Sequence, residues 1–248
     1  MVEGAGNKRC RIGGKDSSSW DEFIHQHPEG RFTDWLRQVA DIEWDAVVGH
    51  PFTDQLADAT VDRAAMRRYL IQDHRFIDAF VVLLASAVAR MRCLEDRVPG
   101  CQFLALITGK ENTYFERSFT ALGVSAADRA SVPDEEVTTK FISLMHAAAA
   151  SGKLTQMLAV LVVAEWSYLS WGERVLPKAS PSAPFWCREW IDLHSGEGFR
   201  GVVEYLRRLL DHEGRMLDAE ARSSCLKTFL EAVSLERAFF DMALRAPA

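Results

Sequence analysis

The sequence predicts an all-α protein built as a single bundle of packed helices, and three observations favour this class. From residue 31 onward, apolar residues repeat every three to four positions, with almost no sustained alternation of period two. The prolines fall mainly where one periodic segment ends and the next begins. The 248 residues are 48% hydrophobic and 26% charged, so the chain can bury a sizeable core.

The helices can be placed in order from this periodicity. Residues 1–30 open with a Gly- and Ser-rich, basic stretch, and we expect a flexible leader there, followed by one domain over 31–248. The predicted helices span 31–48, 62–92, 100–122, 134–151, 153–176, 184–194, 196–213 and 215–244.

Local signals mark several of the boundaries. Thr60 and Asp62 offer capping oxygens before the second helix, and Gly123 provides a left-handed stop after the third. Pro51 and Pro99 are interpreted as breaks between periodic segments. The segment 177–184 is the one linker-like stretch after the leader, and it is too short to separate two domains.

Composition excludes several classes of partner. A net charge of −6 and a pI of about 5.7 argue against a nucleic-acid-binding surface. The five cysteines are scattered without any CxxC spacing, which is typical of reduced thiols in the cytoplasm. No apolar run reaches the roughly 18 residues of a membrane span. The leader lacks the apolar centre of a secretory signal, and an organelle transit peptide is the alternative.

Polar side chains interrupt the apolar stripes of five predicted helices at positions that should face the core. They are Asp73, Glu111, Glu165 with Tyr168 one turn later, His194, and Glu236. A buried carboxylate without a partner costs several kcal/mol or changes its protonation state. We therefore expect these groups to line a polar pocket inside the bundle.

Two points about this pocket stay open in the sequence. Glu111 is equally compatible with a position at the protein surface, because a small error in the helix boundary changes its phase. Aromatic residues near the carboxylates are candidate walls, although aromatics at helical spacing also form ordinary core. These residues are Phe76, Trp166, Tyr168, Phe239 and Phe240.

Two chemistries fit inward-facing carboxylates in a bundle. A carboxylate-bridged dimetal site needs Glu-x-x-His motifs, but the candidate segments are ENTY at 111–114, EWSY at 165–168 and ERAF at 236–239. We therefore expect no metal and no cofactor, and we expect the remaining histidines to lie at the surface or in loops: His25, His27, His50, His146 and His212. The second chemistry is recognition and hydrolysis of a small nitrogen-rich ring.

An ordered set of segments resembles one known family. The segments are HPFTDQLADAT at 50–60, RYLIQD at 68–73, AEWSYLSWGE at 164–173, WIDLH at 190–194 and ERAFFDMA at 236–243. Together they resemble the TenA family, also called thiaminase II, over residues 31 to 244. The resemblance implies a heme-oxygenase-like all-helical fold that binds no heme, an activity on aminopyrimidines in thiamin salvage, and a homodimer or homotetramer.

The resemblance also implies roles for individual residues. Asp73 is similar to the aspartate that binds the amino group and ring nitrogen of the pyrimidine. Tyr168 matches the tyrosine one turn after the family's nucleophile. Glu236 resembles the glutamate that protonates the leaving group. Glu111 is a further predicted substrate-binding residue.

Three positions depart from the family pattern. The nucleophilic cysteine is replaced by Ala164, which Glu165 follows, and tyrosines are replaced by Phe76 and His194. These departures resemble the cysteine-lacking TenA_E group, which is associated with hydrolysis of aminopyrimidines and formylaminopyrimidines. Without a thiolate, a covalent adduct on the ring loses its obvious nucleophile.

The resulting hypothesis is a hydrolase that cleaves a C–N bond of N-formyl-4-amino-5-aminomethyl-2-methylpyrimidine or of its free amine. Glu236 and Glu165 are the expected acid/base pair, Asp73 the ring anchor, and Phe76 a stacking wall, while Tyr168 and His194 orient the ligand. A non-catalytic pyrimidine sensor and a dimetal oxidase are the alternatives. The small pyrimidine is the expected partner, with neither nucleic acid nor membrane.

Overall fold

The computed structural model describes residues 19–245 and confirms the all-α prediction, because fourteen α-helices and no strand occur in this range. The helices are α1 Trp20–Gln26, α2 Phe32–Val39, α3 Asp41–Val48, α4 Pro51–Asp58, α5 Arg63–His74, α6 Phe76–Arg90, α7 Leu94–Leu106, α8 Asn112–Leu122, α9 Ala126–Ser131, α10 Glu136–Ala150, α11 Leu154–Val175, α12 Phe185–Leu193, α13 Gly196–Gly214 and α14 Ala219–Leu244. A π-helical segment, Ile107–Glu111, joins α7 to α8, and a 3₁₀ turn, Leu176–Lys178, follows α11.

Helix α11 forms the centre of the bundle. Its residues 157 to 163 are all 0% exposed, so no face of this half of the helix meets solvent. It packs most extensively against α13 and α14, and it also contacts α3, α4, α6, α10 and α12. A helix that is apolar all round must lie inside such a layer of neighbours. A polar residue on α11 is therefore held inside the bundle.

Two of the predicted helices are each divided in the structure. The predicted helix 31–48 is broken at Ala40, and the predicted helix 62–92 is broken at Arg75. Neither break carries a proline or glycine. At the second break, the Arg75 guanidinium donates to the Arg129 and Val132 carbonyls, so tertiary hydrogen bonds stabilise the bend.

Of the prolines that were interpreted as breaks, Pro51 does lie at the break between two helices, α3 and α4, whereas Pro99 lies inside one. Pro51 is the first residue of α4, where its missing N–H would have no helical acceptor, so the prediction missed this helix. Pro99 lies within α7, which begins at Leu94 rather than at residue 100. The short helix α9 was also missed, and a Ser125–Asp128 capping box begins it.

The predicted boundary between leader and domain at residue 31 is too late. Helix α1 buries Trp20 and Phe23 against the core, where Trp20 packs edge-on against Phe32 with ring centroids 5.3 Å apart. Burial of these two aromatic side chains favours the ordered helix over a flexible chain. The expectation of a flexible leader now concerns residues 1–18, which lie outside the described range.

His50 lies in the loop before α4, which is one of the two expected kinds of position, but it is not at the surface. Its side chain is 6% exposed, because the ring caps α4: Nδ1 accepts the Phe52 N–H at 3.1 Å, and Nε2 lies 3.1 Å from Asp241 Oδ1. The other histidines that were expected at the surface are exposed: His25, His27, His146 and His212. None of the helices between residues 19 and 245 has the length and apolar character that a membrane crossing requires.

Candidate active site

One pocket inside the bundle brings together all seven residues that the sequence singled out. It holds about 590 Å³ of space, including its opening to solvent. The predicted residues that line it are Asp73, Phe76, Glu111, Glu165, Tyr168, His194 and Glu236. The wall is completed by Ile77, Phe80, Ile107, Phe115, Phe141, Met145, Ala164 and Trp190. The pocket is therefore acidic on one part of its surface and aromatic on the rest.

Asp73 is held at the end of α5 by its neighbour in the chain. The Gln72 side chain is 0% exposed and makes three hydrogen bonds: it donates to the Pro133 carbonyl at 3.0 Å and accepts from Glu135 N at 3.0 Å and Thr138 Oγ1 at 2.7 Å. These bonds attach the end of α5 to the start of α10. Gln72 therefore keeps the adjacent Asp73 carboxyl at the pocket wall.

Glu111 reaches the pocket because it ends the π-helical segment Ile107–Glu111. A π segment inserts an extra residue into a helical turn and so rotates the residues around it, and such segments are frequent at functional sites. Of the two positions that the sequence left open for Glu111, the structure has the one inside the bundle. Its backbone stays helical into α8, so no loop separates it from Phe115 one turn later.

Helix α11 contributes Ala164, Glu165 and Tyr168 to the pocket wall. Further along the same helix, Gly172 lies so close to His194 that an added Cβ would be 2.2 Å from its carbonyl oxygen. Only glycine permits this approach of α11 to the end of α12. The approach brings the His194 ring to 4.8 Å from the Tyr168 ring, measured between centroids.

His194 is a neutral hydrogen-bond acceptor toward the pocket. Its Nδ1 lies 2.8 Å from the Trp190 carbonyl oxygen, and because a carbonyl only accepts, Nδ1 carries the proton. Burial lowers the pKa of His194 to about 4, although the Trp190 carbonyl acts in the opposite direction. At neutral pH the unprotonated Nε2 is therefore the free ring nitrogen.

Burial raises the pKa of all four carboxyl groups, and repulsion between carboxyls raises three of these pKa values further. Burial raises the pKa of Glu165 well above its ordinary value, and repulsion from the other three carboxyls raises it further. Burial followed by repulsion from Asp73 does the same for Glu236, which is 3% exposed. The pKa of Asp73 is raised by burial and by Glu111, and burial raises the pKa of Glu111 to about 7.

No positive charge balances this cluster within the described residues. Neither lysine nor arginine lines the pocket, and no side chain or backbone N–H between residues 19 and 245 donates a hydrogen bond to any of the four carboxyls. Buried like charges repel one another, so each ionised carboxyl disfavours ionisation of the others. Such a set can give a proton, take one, and bind amino groups.

Neither a group of metal ligands nor a pocket thiol occurs in the described part of the chain. Between residues 19 and 245, no three His, Cys, Asp or Glu side chains are grouped as metal ligands would be. The four cysteines in this range are free thiols, and none of them lines the pocket. Burial raises the pKa of Cys187 and of Cys225 to about 12. Ala164, which the resemblance aligns with the family's cysteine, lines the pocket wall.

Only some of the aromatic residues that were expected to form the pocket wall line the pocket. Phe76 and Tyr168 line the pocket, whereas Phe239 and Phe240 pack behind it, and Trp166 is stacked by the Arg207 guanidinium on the far side of α11. The sequence analysis missed Phe141, Met145 and Trp190 as wall residues. Phe141 and Met145 are spaced four apart on α10 and look like ordinary core. Trp190 had a signal, because it begins the WIDLH segment.

Together, the fold and the pocket define a class: an all-α protein in which a central helix and its neighbours enclose an acidic, aromatic site for a small ligand. The chain belongs to the TENA/THI-4/PQQC family, whose model matches residues 36–246. This finding confirms the resemblance to the TenA family.

Individual relatives agree with this assignment. An aminopyrimidine aminohydrolase from Halalkalibacterium halodurans is 25% identical over 210 residues, which cover 84% of this chain and 93% of the relative. A TenA family transcription regulator from Silicibacter sp. TM1040 has a TM-score of 0.77 at 25% identity, covering 89% of this chain and all of the other. A domain of unknown function from Shewanella denitrificans has a TM-score of 0.62 at 16% identity, covering 85% and 91%. Its heme oxygenase-like fold confirms the predicted architecture.

Proposed function

We propose that this chain is a thiamin-salvage hydrolase that cleaves a C–N bond of an aminopyrimidine, either the formylated aminomethylpyrimidine or its free amine. The observation that carries the proposal is the convergence of four unpaired carboxyl groups in one aromatic pocket. Amino groups of a pyrimidine are the donors that such carboxyls lack. The relative from Halalkalibacterium halodurans, named an aminopyrimidine aminohydrolase, supports the same class of reaction.

The proposed mechanism uses Glu236 and Glu165 as an acid/base pair. One ionised carboxylate takes a proton from water as the water oxygen forms a bond to carbon. In the free amine this carbon is the methylene attached to the ring, and in the formylated substrate it is the formyl carbon. The other, protonated carboxyl donates its proton to the nitrogen as the C–N bond breaks. The products are ammonia and an alcohol, or formate and an amine. A raised pKa suits both roles, because proton transfer is most effective when the pKa lies near the working pH.

The remaining predicted residues bind the ring in this proposal. Asp73 anchors the amino group and ring nitrogen, with Glu111 as a second acceptor near it. Phe76, packed 4.8 Å from Phe239 and 5.3 Å from Phe141 between ring centroids, offers a rigid face for stacking. Tyr168 and His194 orient the ligand. The reaction needs no metal and no cofactor.

The test is product release from three substrates side by side: thiamin, the aminomethylpyrimidine, and its N-formyl derivative. We expect ammonia or formate from the pyrimidines and nothing from thiamin, because Ala164 offers no nucleophile. Glu165→Gln should abolish turnover without unfolding the protein. Full activity in that variant would exclude Glu165 from the acid/base pair, and pyrimidine binding without any product would favour the sensor instead.

Assembly and location complete the proposal. We expect a homodimer or homotetramer in the cytoplasm. Exposed apolar side chains on α6 and α7, Val82, Leu94 and Val98, offer a surface that a second subunit would cover. Light scattering on purified protein tests the assembly, and a single species at the monomer mass of 27.9 kDa would contradict it.

A further inference from the structure

A chain of three buried hydrogen-bonding groups ends at the pocket. The Trp190 indole Nε1 donates to the Tyr69 hydroxyl at 3.1 Å, and the Tyr69 and Tyr168 hydroxyl oxygens are 2.9 Å apart. Trp190 is 1% exposed and Tyr69 is 0% exposed, and both Trp190 and Tyr168 border the pocket. Tyr69 itself does not line the pocket, and the proposed reaction gives it no role.

The chemistry of the three groups determines the direction of this chain. An indole N–H can only donate, so Tyr69 accepts from Trp190. Tyr69 then has one proton of its own, and within residues 19–245 the one acceptor bonded to its hydroxyl is Tyr168. A buried donor without a partner bears the full cost of its desolvation, so Tyr69 donates to Tyr168. The Tyr168 proton is consequently left for the pocket.

We propose that Tyr69 and Trp190 are positioning residues that turn the Tyr168 hydroxyl into a hydrogen-bond donor aimed at the bound ligand. The ligand must then present an acceptor atom to Tyr168 while its amino groups face the carboxyls. The inference rests on the proposed function only where turnover is measured. The direction of the chain is a property of the protein without ligand.

The kinetic test is a double-mutant cycle with Tyr69→Phe and Tyr168→Phe. Each variant removes one hydroxyl and keeps the ring. We expect kcat/KM to fall about tenfold in each single variant, because each loses one hydrogen bond to the ligand. In the double variant, kcat/KM should fall no further than in Tyr168→Phe alone. Multiplicative losses in the double variant would overturn the inference, because they would mean that Tyr69 acts independently of Tyr168.

Tyr114→Phe is the matched control. Tyr114 is as buried as Tyr69 and stacks on the same Trp190 at 4.8 Å between centroids, but its hydroxyl donates to the Trp186 carbonyl at 2.6 Å, away from the pocket. Its loss should reduce thermal stability as much as the loss of the Tyr69 hydroxyl, with kcat/KM within twofold of the wild type. Equal losses of kcat/KM in Tyr114→Phe and Tyr69→Phe would reduce Tyr69 to a structural role.

A second measurement separates this inference from the proposed function. If the wild type hydrolyses none of the pyrimidines, the proposed function fails. The hydrogen-bond chain from Trp190 to Tyr168 can still be tested in the protein without ligand. The Trp190 indole N–H signal in a ¹⁵N NMR spectrum, assigned with Trp190→Phe, should move upfield in Tyr69→Phe and by less in Tyr168→Phe, because each hydrogen bond polarises the next. It should stay in place in Tyr114→Phe. An unmoved signal in Tyr69→Phe would mean that Trp190 does not donate to Tyr69, and the inference would be wrong.

Discussion

Helix α11 carries charged residues into two different environments. Near its middle, Glu165 joins three other carboxyls in a pocket that no lysine or arginine among residues 19–245 lines. Nine residues later, Arg174 donates to Asp54 and Thr53, each at 2.8 Å, and to the Val48 carbonyl at 2.8 Å. Lys178 adds a second cation to Asp54 at 2.5 Å. A carboxyl group thus has no cationic partner in the pocket among the described residues, whereas the Asp54 carboxyl has two.

The two environments move the carboxyl pKa in opposite directions. At Asp54, partial burial acts to raise the pKa, but hydrogen bonds from Lys178 and Arg174 outweigh it and leave the pKa lowered. In the pocket, burial is reinforced by repulsion, so the pKa of Glu165 is raised. The Asp54 pairs hold α4 against α11 and stabilise the fold, whereas burial of unpaired carboxyls in the pocket costs stability.

The largest effect should come from removing a pocket carboxyl. Glu236→Gln is expected to reduce pyrimidine hydrolysis at least about 100-fold, the usual contribution of a general acid, without lowering the unfolding temperature, because the amide relieves repulsion. Product release and thermal unfolding measure the two effects. Glu231→Gln, an exposed change on the same helix, is the control. A destabilised Glu236→Gln protein would mean that this carboxyl has a structural partner.

The pH dependence of stability should come next in size. Because the folded protein raises the pKa of Glu111 to about 7, it binds a proton that the unfolded chain, with an ordinary pKa of about 4.3, has released. The contribution of Glu111 is therefore present at low pH and lost as pH rises through 7. The difference between the two pKa values amounts to at most about 4 kcal/mol, before screening by solvent reduces it.

Urea unfolding between pH 4 and pH 8 tests this expectation. The free energy of unfolding of the wild type should decrease with rising pH, and Glu111→Gln should make the decrease smaller. The exposed Glu95, changed to Gln in the same way, should leave the wild-type slope intact. A slope that Glu111→Gln does not alter would place Glu111 in bulk water.

The stability contribution of Asp54, which is paired with Arg174 and Lys178, should be smaller and should depend on pH in the opposite direction. Asp54→Asn should lower the free energy of unfolding by less than about 1 kcal/mol, since the side chains of Asp54 and Arg174 remain 36% and 30% exposed. With a lowered pKa, the contribution of Asp54 is present above about pH 4 and disappears as pH falls through the folded pKa. The difference in unfolding free energy between wild type and variant should therefore be smaller at pH 3 than at pH 7. Turnover should be unchanged.

The smallest effect is expected from Ala164→Cys, which puts a thiol at the family's nucleophile position. Carboxylates around the thiol raise its pKa and leave little thiolate at neutral pH. We expect no cleavage of thiamin and slow reaction with a thiol reagent. Cleavage of thiamin by this variant would show that the missing cysteine alone separates this protein from a thiaminase.

The candidate site was visible in the sequence to an unusual degree. Asp73, Glu165 and Glu236 each fall in phase with apolar residues, and the structure has all three around one pocket. Glu111 could not be placed, because a π segment breaks the regular phase just before it. Tyr69 was overlooked, since a tyrosine in an apolar stripe gives no sign that its hydroxyl bonds to another hydroxyl 99 residues away.

Helical periodicity and in-phase polar residues are local properties, and for this protein they determined the all-α class, most of the helices, and the carboxyls that turn inward. The tertiary structure decided the features that depend on contacts between distant parts of the chain. It bends the chain at Arg75 through hydrogen bonds to residues 129 and 132, and it lets α11 approach His194 at Gly172. It also leaves the pocket carboxyls without a cation while giving Asp54 two. Repulsion and hydrogen bonding depend on distances between groups far apart in the chain, and only packing sets those distances.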